Sequence, residues 1–144
     1  MSRDYPAQPL VGVGVVLFDT AGRVLLIRRA KAPRAGQWSL PGGSQELGET
    51  VEQSARRELL EETGCTAGPL SLVDVVDSIT RDEFGRVRFH YTLVDYCARF
   101  AGGEARAGSD ATDLVWAPVG GLAPFDLWER TVAVIGAAAR MIIR

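Results

Sequence analysis

Residues 43–65 read GSQELGETVEQSARRELLEETGC, and this stretch decides the fold. From Glu49 to Thr63 it holds neither Gly nor Pro, Glu and Arg predominate, and Gly64 supplies a stop, so the pattern predicts a helix. Inside it Glu58, Glu61 and Glu62 stand at i, i+3 and i+4, which sets all three carboxylates within an arc of about 100° on one face. Like charges at that spacing repel. One reading is a solvated acidic face. The other places a divalent cation among the carboxylates, whose hard oxygens suit Mg2+ or Mn2+. Mg2+ retains waters and accepts phosphate oxygens, so the implied substrate is a phosphate ester or anhydride. The preceding Pro41-Gly42-Gly43 favours this second reading, because its backbone can approach a ligand closely, and Glu49 is expected to open the helix where the dipole favours an anion.

Outward from the helix, Leu10–Phe18 is rich in β-branched residues and ends at the turn cluster Asp19-Thr20-Ala21-Gly22, followed by a second apolar run over 23–29, so the pair is expected to form a β-hairpin. Residues 30–48 read as loop, with Gln37-Trp38-Ser39-Leu40 able to pair as a short strand. Strands are expected over 70–79, 86–100 and 112–117, a Gly-rich acidic loop over 101–111, and a closing helix over 126–142 with Leu127, Val134, Ile135 and Ile142 near one stripe. This order fits helices packed on the faces of a mixed β-sheet better than a regular βαβ series. Gly12-Val13-Gly14 lacks the third glycine of a dinucleotide-binding turn and sits inside a strand, which excludes a Rossmann site.

With 144 residues, the chain is expected to form a single domain over 1–144. Apolar residues make up 47% and charged residues 24%, which excludes a disordered or collagen-like chain and implies an ordinary core. Sixteen Lys and Arg against 18 Asp and Glu give a net charge of −2, without the basic excess that drives binding to nucleic acid. No apolar stretch is long enough to span a membrane, and the first nine residues lack an apolar export signal, so a cytoplasmic location is expected. Cys65 and Cys97 lack metal-type spacing and read as reduced packing residues.

Gly43, Glu49, Arg57, Glu58, Glu61, Glu62 and Gly64 together match the Nudix box: a glycine, five residues, Glu, seven residues, Arg-Glu, an aliphatic, any residue, Glu-Glu, any residue, Gly and an aliphatic. At a usage of roughly 7% per residue type, seven such positions coincide by chance in about one window in 10⁸. Cys65 departs from the final aliphatic but packs as a small hydrophobe. The approach Trp38-Ser39-Leu40-Pro41-Gly42-Gly43 and the pair Arg28-Arg29 extend the likeness to about residues 10–118. The chain resembles the Nudix hydrolase family, which implies an α/β/α sandwich and cleavage of a nucleoside diphosphate linked to another group.

The resemblance further implies Glu58 and Glu62 as principal metal ligands, with Glu61 completing the cluster or helping to deprotonate the attacking water, and the Gly43 carbonyl adding a ligand. It implies that Glu49 and Arg57 hold loop and helix in register through an ion pair. A further acidic residue is expected from a distant loop: Asp110 fits best, with Glu104 and Asp113 as rivals. Arg28 or Arg29 is a candidate for gripping a terminal phosphate, although alternation along a strand sends them to opposite faces. Trp38, Phe84 and Tyr91 are candidates for stacking on a base, against the ordinary alternative that they are core, and mid-strand His90 reads as structural or stacking rather than acid/base.

The segment from His90 to Tyr96, with Gly103-Glu104 and the run Ala107-Gly108-Ser109-Asp110, is similar to that of the small bacterial ADP-ribose pyrophosphatase subgroup, which implies conversion of ADP-ribose and water to AMP and ribose 5-phosphate, and a homodimer; the apolar closing helix and the first hairpin are candidates for its interface, against the alternative that each is core. The alternatives are a nucleoside triphosphate pyrophosphatase and a nucleotide-sensing module without catalysis. The latter predicts eroded ligands, whereas all three glutamates are intact. RNA decapping calls for a basic surface that this chain lacks.

Overall fold

Alternation along two adjoining strands explains where the core lies. In β1 (Leu10–Phe18) and β2 (Val24–Arg29), Val16, Phe18, Val24 and Leu26 face one way, and Val15, Leu17 and Leu25 face the other. The first set joins Val76, Cys97, Val134 and Ile135 in one apolar layer, and the second joins Ala55, Leu59 and Cys65 in another. A strand buried on both faces needs a helix over each, and the chain supplies α1 (Val51–Thr63) and α2 (Glu129–Ile142). The computed structural model describes residues 3–31, 34–108 and 110–142 and shows an α/β/α sandwich.

The remaining strands are β3 (Trp38–Ser39), β4 (Gly42–Ser44), β5 (Cys65–Ala67), β6 (Ser71–Arg81), β7 (Val87–Gly103) and β8 (Ala111–Ala117). The sheet runs β3-β2-β1-β7-β5, with β4 paired to β1, β6 to β7 and β8 to β2. The sheet is mixed: β1 and β7 pair in parallel, placing Gly14 beside Asp95, while the other pairs are antiparallel.

The Asp19–Gly22 turn forms as expected, with the Asp19 carboxylate accepting from the N–H groups of Ala21 and Arg23. The hairpin it closes is shallow: β1 and β2 meet at Phe18 opposite Val24, while β1 pairs along its whole length with β7 and at Gly12–Gly14 with β4. β1 is therefore sheet interior, and the exposed part of the hairpin is its turn.

Helix α1 starts two residues later than Glu49, because Thr50 caps it: the Thr50 hydroxyl accepts from the Gln53 N–H at 3.1 Å, and the Gln53 side chain accepts from the Thr50 N–H at 2.9 Å. Gly64 ends it with φ 71°, a left-handed conformation that favours glycine. β7 runs on to Gly103 to pair with β5, so the loop expected from 101 is shorter. The closing helix begins at Glu129 rather than 126, because Asp126 is left-handed at φ 49° after a short 3-10 turn. Cys65 and Cys97 are buried free thiols in opposite layers. Among the described residues no helix is long and apolar enough to cross a membrane.

Candidate active site

Arg57 organises the acidic face of α1. Its Nε donates to Glu49 Oε2 at 2.6 Å and its Nη2 to Glu49 Oε1 at 3.0 Å, a two-point pairing that ties the loop before the helix to the helix itself. The same Nη2 donates to the Ser44 carbonyl at 3.1 Å. The Arg57 hydrogen bonds, with a second from the Glu46 N–H, hold the Glu49 carboxyl down to about 2. Glu49 is thus a strap outside the helix rather than its first residue.

Glu58 lies against β4 so closely that a Cβ on Gly43 would sit 2.5 and 2.6 Å from its two carboxylate oxygens, so a side chain there would displace the Glu58 carboxylate. Glu62 is 2% exposed, and its Oε2 accepts from the Gly42 N–H at 3.0 Å. Burial raises both groups, Glu58 against the opposing pull of Arg57 and Glu62, to about 7, against that of Arg29. Glu61 is exposed. Arg57 Nη1 donates to Glu58 Oε1 at 3.0 Å and to Glu61 Oε2 at 3.1 Å, while Arg29 Nη1 stands 3.4 Å from Glu62 Oε1. Each carboxylate is thus paired with a guanidinium, and among the described residues no three His, Cys, Asp or Glu side chains stand close enough to hold a metal ion in this arrangement. The chemistry of the donors nonetheless suits a hard divalent cation, since two of the three carboxylates are raised by burial and gain from added positive charge.

Asp110 stands near enough to Glu62 for its charge to help raise the Glu62 carboxyl, and it pairs with Lys31 Nζ at 3.0 Å. Its rivals lie elsewhere. Glu104 is exposed, with its carbonyl against Gly64, and Asp113 sits in β8 opposite Arg28. Ser109, in the same loop as Asp110, lies outside the described residues.

Arg28 and Arg29 go to different partners. Arg28 Nε donates to the Gly36 carbonyl at 3.0 Å and lines a cavity of about 690 Å³ together with Trp38, Ser78, Phe125 and Trp128. Trp38 packs edge-on against Phe125 with ring centroids 5.3 Å apart. Arg29 donates to Ser39 Oγ at 3.0 Å and, with Ser39, Leu40 and Asp95, lines a second cavity of about 100 Å³ that shares Arg34 and Trp128 with the first. Arg29 thus connects the acidic helix face to the smaller cavity. Tyr91, beside Gly12, and His90, opposite Ile79, line neither cavity, and Phe84 is exposed at the β6–β7 turn.

Asp95 carries a signal that sequence reading did not isolate from its segment. It is 7% exposed, and burial, reinforced by the charge of Asp74, pushes its carboxyl up to about 6. A proton held more tightly in the folded than in the unfolded chain stabilises the fold fully below the ordinary value of 3.8, and this contribution is lost as pH rises through about 6. Asp95→Asn removes it. Measured by urea unfolding, the stability of the wild type minus that of the variant is expected to fall by about 3 kcal/mol between pH 3.5 and 7. A difference independent of pH would show that burial does not raise this carboxyl.

A family model described as NUDIX domain matches residues 8–135. An ADP-ribose pyrophosphatase of Methanocaldococcus jannaschii is 38% identical over 105 residues, which are 73% of this chain and 59% of that protein. The chain thus spans less than two thirds of that relative's length. A MutT NUDIX hydrolase from Burkholderia pseudomallei superposes with a TM-score of 0.78 at 35% identity, over 90% of this chain and 98% of that one. The NUDIX domain of Shewanella oneidensis NrtR complexed with ADP ribose gives 0.77 at 25% identity, over 95% and 90%.

Proposed function

The chain belongs to the Nudix family, and from that premise we propose that it is a pyrophosphohydrolase acting on a nucleoside diphosphate linked to a second group, with ADP-ribose as preferred substrate. Water adds across the diphosphate linkage and one phosphorus–oxygen bond breaks, giving AMP and ribose 5-phosphate. The observation that carries this reading is the Arg29 side chain, which joins the buried carboxylate of Glu62 to the 100 Å³ cavity, itself continuous with the 690 Å³ cavity through the shared wall residues Arg34 and Trp128. The 38% identity with an ADP-ribose pyrophosphatase supports the substrate, as does the likeness to a NUDIX domain complexed with ADP ribose.

Nudix hydrolases generally use divalent cations; here Glu58 and Glu62, joined by Glu61 and the Gly43 carbonyl, would hold Mg2+ or Mn2+. When bound, such a cation neutralises diphosphate oxygens and makes a water acidic near neutral pH. The chain's own residues do the rest. Asp110 accepts the proton of the attacking water. Arg28 or Arg29 pairs with phosphate, and Trp38 walls the larger cavity. Tyr91, placed outside both cavities, is the substrate contact with least support from the geometry. Glu49 and Arg57 hold the Gly43 turn against α1, and Gly64 ends the helix so that the chain can return through β5. The same reading takes residues 1–144 as one Nudix domain with its box at 43–65, in the cytoplasm, acting on a small molecule and not on nucleic acid. It also includes a homodimer through α2, which exposes Val132 and Met141; a single-chain mass by light scattering would exclude that.

The test is product release by purified protein from ADP-ribose, NADH, dinucleoside polyphosphates and nucleoside triphosphates, with Mg2+ and with Mn2+. ADP-ribose is expected to have the highest kcat/KM. A dominant triphosphate signal would overturn the substrate assignment and leave a nucleotide-pool pyrophosphatase.

A further inference from the structure

β1 and β7 run parallel with Gly14 beside Asp95, and the missing side chain at Gly14 leaves the space that Asp95 occupies: a Cβ there would collide with Asp95 Oδ1. The carboxylate lines the 100 Å³ cavity, is more than nine-tenths buried, and has no hydrogen-bond partner among the described residues. A carboxylate on a residue this enclosed, facing a cavity without a protein partner, is costly, and folds seldom retain one without a use. The core does not require it, because neighbouring buried positions of the same sheet, such as Val76 and Cys97, are apolar.

The surroundings define what it would bind. Val13, Leu40, Val76 and Leu93 give the cavity apolar walls, which suit a flat uncharged ring. Arg29, Arg34 and Arg130 line the same cavity and disfavour a second cation, so the donor that completes Asp95 is a neutral N–H. Apolar walls with a carboxylate set among them, beside the Ser39 and Thr131 hydroxyls, match the edge of a nucleobase.

Resting on the reading above that the substrate carries a nucleoside, we propose that Asp95 determines base specificity: it accepts a hydrogen bond from an exocyclic amino group and so selects an amino-bearing base such as adenine over one with a carbonyl at that position. An ionised carboxylate has acceptors only. Facing it, an amino group gains a charge-assisted hydrogen bond, whereas a carbonyl oxygen meets lone pair against lone pair. The expected discrimination is about 10–100-fold.

The experiment is calorimetric titration of AMP and of IMP at pH 8 into wild type, Asp95→Ala and Asp95→Asn, in the absence of metal and with thermal melting to verify folding. Wild type is expected to bind AMP about 10–100-fold more tightly than IMP. In Asp95→Ala that ratio should collapse to about threefold or less, through loss of AMP affinity. Asp95→Asn should bind IMP more tightly than wild type does, because its amide N–H can donate to the carbonyl; if Asp95→Ala does not fold, this variant decides. Equal affinities in wild type, no binding of either monophosphate, or an unchanged ratio in the variants would overturn the proposal. ADP-ribose turnover run in parallel separates the two readings. Turnover with an AMP/IMP ratio of one removes Asp95 alone, and an intact ratio without turnover removes the substrate assignment alone.

Discussion

Glu62→Gln is expected to lower Mg2+-dependent turnover of ADP-ribose by about 10²–10³-fold while leaving the fold intact. Glu62 is 2% exposed and fixed by the Gly42 N–H, so a glutamine of the same shape keeps its carbonyl in place to accept that hydrogen bond at little geometric cost. What disappears is the charge that would hold the cation against the diphosphate. The fold tolerates this loss because burial already disfavours the ionised form, and the Arg29 guanidinium left behind is partly exposed and still donates to Ser39. Steady-state kinetics with Mg2+, alongside a circular dichroism melt, make the check. Near-normal turnover in a folded variant would remove Glu62 from the proposed ligand set.

Asp110→Asn is expected to reduce kcat by about 10²–10⁴-fold with little change in nucleotide affinity, the range for losing a general base. The carboxylate lies near Glu62, and its ion pair with Lys31 is between exposed groups and contributes little to stability. Asparagine preserves size and removes the basic site. A stable variant that binds AMP normally but turns over slowly supports proton acceptance by Asp110. Unchanged kcat would move that role to Glu104, Asp113 or Glu61.

Fold and site were legible in the sequence to different depths. The acidic helix could be read because its positions are tied by a local rule, i, i+3 and i+4 on one face. Its start was misplaced at Glu49 because a capping threonine and an ion-paired glutamate both look like helix openers. The Thr50–Gln53 pair was the available signal, a hydroxyl followed three residues later by an amide. The small strands β4 and β5 were missed because they are only three residues long and rich in small residues, and pairing rather than propensity forms them. Asp95 was hidden for a related reason. In sequence it is one of several polar residues of β7, with Arg88, His90, Thr92 and Arg99, and only its parallel register with Gly14 shows that it lies sunk beside a cavity.

The sequence by itself determined the family, through spacings inside one helix and its leading turn, and with it the cation chemistry that three clustered carboxylates imply. It also determined the composition of both apolar layers, since alternation along β1 and β2 is a property of a few consecutive residues. The tertiary structure alone decided that Arg29 turns back to Glu62, that Glu58 rests against Gly43, and that Asp95 meets a cavity with no partner. Helical and strand periods are set by local backbone geometry and survive in any context. The register between strands far apart in the chain depends on how two helices and a sheet share their buried surface.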